Sequence, residues 1–260
     1  WNPDLTKNGS KLLTNMFGYD YDGYGSSNKD VRSNRLEVNN GKVYIANYAA
    51  QNPGIWVFNP TGTTATLLNN DKWQRAIAFS GSGSNRVMYS YHEKNISYHN
   101  IGASDNAVST AGSYTLSTLI NGDGDMLFTN KGIFVAQTRY TNNNTSDCPV
   151  FAFVATNGTV ILNSSGLSSS LNSCQGGGMA ISSDLSKFAI VSGSDSGNSS
   201  ISVIIYSVSW SGNTPSFTYQ YSIPLDGTYQ VDQLEFDYAD NLYVASRDKG
   251  ILLYAIKNPT

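Results

Sequence analysis

Charge is scarce in this chain. Asp, Glu, Lys and Arg make up only 13% of its 260 residues, about half the share of an average soluble domain. Lys and Arg number 16 against 19 Asp and Glu, a net charge of −3. That balance offers no basic patch for a phosphate backbone and argues against a nucleic-acid partner. Histidine occurs twice, at His92 and His99, and neither has a Cys or His at ligand spacing, so no metal site is expected there. Cysteine also occurs twice. Cys148 and Cys174 match no zinc or redox motif; they pair in an oxidising compartment or stay as two thiols in the cytosol. The longest apolar stretch, Ile201 to Val208, is interrupted by Ser and is far too short to cross a bilayer. Sustained 3.6-residue periodicity with caps is missing, which leaves little room for helices.

What fills the space is aromatic and turn-forming. Aromatic residues reach 12%, with 17 Tyr, the reverse of a disordered chain's composition. The polar share comes from Ser, Asn, Thr and Gly, which suit short strands joined by many turns. Such a surface is common outside the cytoplasm, so an extracellular, periplasmic or outer-membrane location is expected. The chain begins at Trp1 without Met, as a mature or trimmed product would.

A repeat runs through the sequence. Arg35-Leu-Glu-Val-Asn-Asn-Gly-Lys-Val-Tyr-Ile-Ala-Asn47 reads as a strand, a turn and a second strand, followed by Gly54-Ile-Trp-Val-Phe58 and a weaker strand over residues 64–68. The pattern returns near the end as Gln233-Leu-Glu-Phe-Asp-Tyr-Ala-Asp-Asn-Leu-Tyr-Val-Ala-Ser246 and Gly250-Ile-Leu-Leu-Tyr254. Three copies lie between, led by Arg75-Ala-Ile-Ala-Phe79, Asp125-Met-Leu-Phe128 and Gly178-Met-Ala-Ile181. A spacing of about 40–55 residues matches a four-stranded propeller blade. A β-sandwich would also have short strands and turns, but it has no reason to repeat itself five times.

The Leu-Tyr-Val-Ala strand followed by Gly-Ile and an apolar pair ending in Tyr resembles the repeats of β-propeller proteins, most closely the secreted or lipid-anchored propellers of gut Bacteroidetes. The resemblance covers residues 31–256. It implies an all-β fold in one domain, with antiparallel four-stranded blades near residues 31–69, 73–116, 121–166, 174–225 and 231–260. Five blades are expected, with six as the alternative. The last copy supplies three strands, leaving an unpaired edge. Residues 11–17 (Lys-Leu-Leu-Thr-Asn-Met-Phe) are expected to pair with it and close the ring.

The architecture also implies where a ligand would sit. Each blade's first strand lines a central channel, and one face of the ring gathers two sets of loops: those leading into first strands and those joining second to third strands. Mapped onto this chain, that face collects Trp73, Arg75, Arg35, Gln233, Tyr91, Arg139, Tyr140 and Arg247. Aromatic rings beside hydrogen-bonding groups suit a sugar. The competing reading is packing, with Trp73 wedged between blades and the arginines paired with Glu37, Asp71 or Glu235.

Some five-bladed propellers are glycosidases, which need acids flanking the scissile bond. The available acids are Glu37, Asp123, Asp125, Asp232, Glu235 and Asp237, and the first strands of the second and fourth copies carry none. Glu37 and Glu235 hold equivalent repeat positions, which suggests a role in the blade. No catalytic residue is therefore assigned. Asn121-Gly-Asp-Gly-Asp125 and Asp20-Tyr-Asp-Gly23 are fragments of calcium loops without the distal Glu, and turn chemistry accounts for both. Gly176-Gly-Gly178 precedes a strand, where a phosphate loop needs a helix. No metal or cofactor is expected. The resulting expectation is a monomeric, non-catalytic binding or scaffold module with a glycan or protein ligand. A carbohydrate-active enzyme and a protein-interaction platform are the alternatives.

Overall fold

The computed structural model describes residues 36–47, 53–62, 64–70, 74, 76–92, 95–105, 110–116, 124–137, 151–156, 158–162, 167, 178–192, 201–225, 231–246 and 249–256. These form five antiparallel sheets and a single 3₁₀ turn at Gly83–Asn85. The protein is a five-bladed β-propeller.

The first blade comprises β1 (Leu36–Asn39), β2 (Lys42–Asn47), β3 (Gly54–Phe58) and β4 (Ala65–Asn69), in that spatial order. The second comprises β5 (Ala76–Ser80), β6 (Val87–His92), β7 (Asn95–Asn100) and β8 (Gly112–Thr115). The third comprises β9 (Gly124–Thr129), β10 (Gly132–Gln137), β11 (Phe151–Ala155) and β12 (Val160–Leu162). The fourth comprises β13 (Met179–Ile181), β14 (Lys187–Ser192), β15 (Ser202–Ser211) and β16 (Thr214–Pro224). The fifth has three strands among the described residues, β17 (Val231–Phe236), β18 (Asn241–Ser246) and β19 (Gly250–Ala255). The expected closing strand over residues 11–17 lies outside the described residues.

Turn chemistry sets the registers. Asn40 and Gly41 both take positive φ, 51° and 71°, the geometry of a two-residue hairpin turn whose twist matches its strands. It fixes Asn39 opposite Lys42 and Glu37 opposite Tyr44. In the fifth blade Asp237 does the equivalent work with its side chain. Its carboxylate accepts the backbone N–H groups of Ala239 and Asn241, each at 2.8 Å, while Asp240 takes the left-handed conformation. The Asn241 amide and backbone hold the Asp237 carboxyl below its usual range.

Because side chains alternate across a strand, each sheet offers two apolar faces, and the blades stack through them. Tyr44, Ala46, Ile55 and Val57 of the first blade pack on Ile77 and Met88 of the second. Ala76, Tyr91 and Ile96 pack on Met126, Ile133 and Val135 of the third. The next seam is aromatic: Phe134, Phe151 and Phe153 meet Phe188, Tyr206 and Phe217, with Phe151 and Phe217 edge-on at 5.3 Å. Ala189, Val203 and Ile205 pack on Val231, Leu234 and Val244 of the fifth blade.

Polar groups also tie blades together. Between the first two, Asp105 accepts from the Tyr44 hydroxyl and from Arg86 Nη2, and Lys42 Nζ lies 2.7 Å from its other oxygen. Asp105, Arg86 and Tyr44 are all buried. Burial pushes the Tyr44 phenol up, against the opposing pull of the Arg86 guanidinium. The β15–β16 hairpin is the longest among the described residues and its tip reaches the third blade, where Asn213 Nδ2 donates to Thr156 Oγ1 at 2.9 Å and Lys131 Nζ to the Gly212 carbonyl at 3.2 Å.

Candidate functional site

The innermost strands β1, β5, β9, β13 and β17 contribute jointly to one cavity of about 440 Å³ on the ring axis. Glu37 and Asn39 enter it from β1, Phe79 from β5, Thr129 from β9 and Glu235 from β17, with Ser182 just beyond β13. Apart from Glu37, near the middle of the short β1, these positions fall in the second half of each first strand or in the turn that follows. The cavity therefore belongs to the channel end carrying the first-to-second-strand turns, opposite the face to which the sequence directs attention.

The local reason is the pleat. Glu37 and Asn39 are two residues apart, so they share a side of β1, while Leu36 and Val38 take the other. Glu235 holds the same repeat position as Glu37: each stands opposite a Tyr on its second strand, Glu37 to Tyr44 and Glu235 to Tyr243. The result is a channel with two carboxylates, amide and hydroxyl groups, and phenyl rings at Phe79 and Phe128. Hydroxyls and amides can exchange hydrogen bonds with a polyol, and a phenyl face can meet its C–H surface.

Asp184 and Ser182 shape the turn beside this cavity. The Ser182 hydroxyl donates to Asp184 Oδ1 at 2.6 Å and the Ser186 backbone N–H to the same oxygen at 3.0 Å. These bonds, the Ser182 hydroxyl first, hold the Asp184 carboxyl at about 2. Lys187, on the strand that follows, is nearly buried and reaches Asp240 of the fifth blade at 2.6 Å.

At the opposite end of the channel, Asp125 is buried with both carboxylate oxygens engaged. Oδ1 accepts the Met126 N–H at 2.8 Å and Oδ2 the Met179 N–H at 2.9 Å. It fastens the third blade to the fourth. Nearby, Gly178 lies so close to the fifth blade that a Cβ there would stand 2.8 Å from the Leu234 nitrogen and 3.0 Å from Gln233 backbone atoms.

Of the residues the sequence points to, Gln233 is half-buried on β17, next to Gly178. Tyr91 has no exposed surface; it stands opposite Ala76 and packs into the seam between the second and third blades. Arg35, Trp73, Arg75, Arg139, Tyr140 and Arg247 lie outside the described residues, as do Cys148, Cys174 and Asp123. The sequence reading missed the channel-end groups Asn39, Thr129 and Ser182. Their signal was present: each occupies the last position of a first strand or the residue after it.

No family model matches the chain, and no curated protein matches it. Solved structures do resemble it. A protein of unknown function from Bacteroides thetaiotaomicron aligns with a TM-score of 0.55 and 16% identity, over 88% of this chain and 60% of its own. A luciferin-regenerating enzyme aligns at 0.53 and 14%, over 82% and 68%. A chain of the nidogen–laminin complex aligns at 0.53 and 11%, over 82% and 71%. At such identities the likeness carries the fold and no chemistry.

Proposed function

We propose that this chain is a non-catalytic binding module that acts outside the cytoplasm as a monomer and takes a glycan at its central channel. The observation that supports it best is the 440 Å³ cavity, to which all five blades contribute carboxylate, amide, hydroxyl and phenyl groups. That mixture suits a small polyhydroxylated ligand held by hydrogen bonds and ring contacts. Asp125, the buried acid at the other channel end, has its oxygens on backbone N–H groups, which suits a structural role. The nidogen–laminin neighbour is a protein complex, in keeping with propellers as binding modules.

A glycan array on the purified full chain tests this directly. The expected result is a defined set of retained glycans, with binding weakened by Glu235→Gln or Asn39→Ala. Retention of no glycan would overturn the sugar reading and favour a protein ligand. A glycosidase is the second reading, favoured by Glu37 and Glu235 facing one cavity. Under our proposal, arabinan, xylan and fructan stay intact at high protein concentration; turnover abolished by Glu235→Gln would establish the enzyme instead.

A further inference from the structure

The blades differ in how their outer strands end. A sheet edge presents unpaired N–H and C=O groups, and proteins blunt it with short strands, charge, Pro or bulges. Among the described strands, the outermost of the first, second, third and fifth blades are β4, β8, β12 and β19, of five, four, three and six residues. The outermost of the fourth, β16, has eleven. Neither β16 nor its partner β15 contains Asp, Glu, Lys or Arg. The register shifts at Gln220, which stands between the pairs Tyr206–Tyr219 and Ile205–Tyr221. The Gln220 amide pins this bulge by donating to Ser207 Oγ at 2.9 Å and to the Thr218 carbonyl at 3.2 Å. Before it, residues 214–219 pair without a break.

Hairpin geometry decides which backbone groups of that run face outward. Gly212 and Asn213 form a two-residue turn, with Gly212 at φ 62°, between Ser211 and its partner Thr214. Such a turn closes on a hydrogen-bonded pair, and hydrogen-bonded and non-hydrogen-bonded pairs alternate along an antiparallel ladder. Thr214, Ser216 and Thr218 therefore bond inward to β15, while Pro215, Phe217 and Tyr219 turn their backbone groups away from it. Pro215 agrees with this phase, because a proline fits an edge strand where its missing N–H would face out. The side chains alternate as well. Ser216 and Thr218 are exposed on one face, paired with Ser209 and Ser207. On the other, Phe217 is buried in the seam with the third blade and Tyr219 is 48% exposed.

We infer that the outer edge of β16 receives an extended, uncharged segment of a partner protein, added as a fifth strand of the fourth blade. Unpaired backbone groups in register select a strand as occupant, by β-augmentation. In an antiparallel arrangement Phe217 and Tyr219 each exchange two hydrogen bonds with it. Cross-strand pairing then sets its side chains: hydroxyl residues beside Ser216 and Thr218, apolar or aromatic ones beside Tyr219. A charged segment would meet no counter-charge on β15 or β16. This edge lies at the ring's perimeter, apart from the channel, and its occupancy does not depend on the glycan reading.

Titration of the full chain with an end-blocked peptide, Thr-Val-Thr-Tyr-Thr-Val-Thr, tests it. The peptide carries an uncharged fluorophore read by anisotropy, and amide hydrogen exchange of the protein is followed with and without it. The expected result is saturable binding with slowed exchange at the Phe217 and Tyr219 amides. Tyr219→Pro, which removes an outward N–H, should bind about three- to tenfold more weakly than Tyr219→Ala, which keeps it. N-methylation of the peptide's backbone should abolish binding; it needs no change in the protein, so it decides the case if Tyr219→Pro fails to fold. Absence of saturable binding would overturn the inference, as would binding that survives N-methylation or protects amides elsewhere. Self-association of the peptide-free chain that Tyr219→Pro abolishes would put a second copy on the edge and overturn the partner segment.

Discussion

Replacing Asp105 by Asn should be among the most damaging single changes available outside the apolar seams. Its carboxylate accepts from Tyr44 and Arg86 and lies 2.7 Å from Lys42 Nζ. Arg86 is 3% exposed, and its Nε and Nη1 have no hydrogen-bond partner among the described residues. Removing the anion that faces it leaves a buried guanidinium charge uncompensated, at a cost of about 3–5 kcal/mol. Each kcal/mol shifts Tm by roughly 2–4 °C in a domain near this size, so a fall of roughly 6–20 °C follows. Arg86→Met should cost less, about 1–3 kcal/mol, because Asp105 keeps Lys42 and Tyr44. The double variant Arg86→Met with Asp105→Leu removes both charges and should lie within about 1 kcal/mol of Arg86→Met alone. Urea unfolding and thermal melting of the full chain supply the free energies of the parent and the three variants. If Asp105→Asn lies within about 1 kcal/mol of the parent, or the double variant is as unstable as Asp105→Asn, then the buried charge is not the source of the cost.

Gly178→Ala should lower stability by about 1–3 kcal/mol through overpacking, since the new Cβ meets backbone of the fifth blade that no rotamer change can clear; an unchanged melting temperature would show that the seam can yield. Asp184 has its folded-state value held at about 2 against 3.8, so its contribution to stability is present above pH ~4 and lost as the pH falls towards 2. Asp184→Asn should flatten the pH dependence of melting in that window, modestly because the group is solvent-exposed, and an identical profile would refute the assignment. Asn39→Ala should weaken retention of any array-positive glycan about threefold to tenfold, as losing a hydrogen bond costs about 0.5–1.5 kcal/mol; unchanged retention would move the ligand away from this channel end.

The blade pattern was legible in the sequence because it rests on local rules. Alternation of apolar residues, the Asn40-Gly41 turn and the Asp237 side-chain turn act within one hairpin, so they are written contiguously, and they return with each copy. Absence of helical periodicity completed the fold class. The candidate site was legible only in part. Glu37 and Glu235 could be aligned as equivalent positions, but that both enter one cavity with Asn39 and Phe79 depends on five strands far apart in sequence converging on an axis. Tyr91 shows the same limit: an aromatic at a strand end reads as a loop-face residue, and only the position of the third blade makes it core. Asp125 could pass for a catalytic acid until tertiary structure placed the Met179 N–H on its carboxylate. Exposure was the least legible property of all. Leu36 and Leu234 are the same residue at the same repeat position, and one is buried while the other is bare, because burial belongs to the neighbour and not to the side chain.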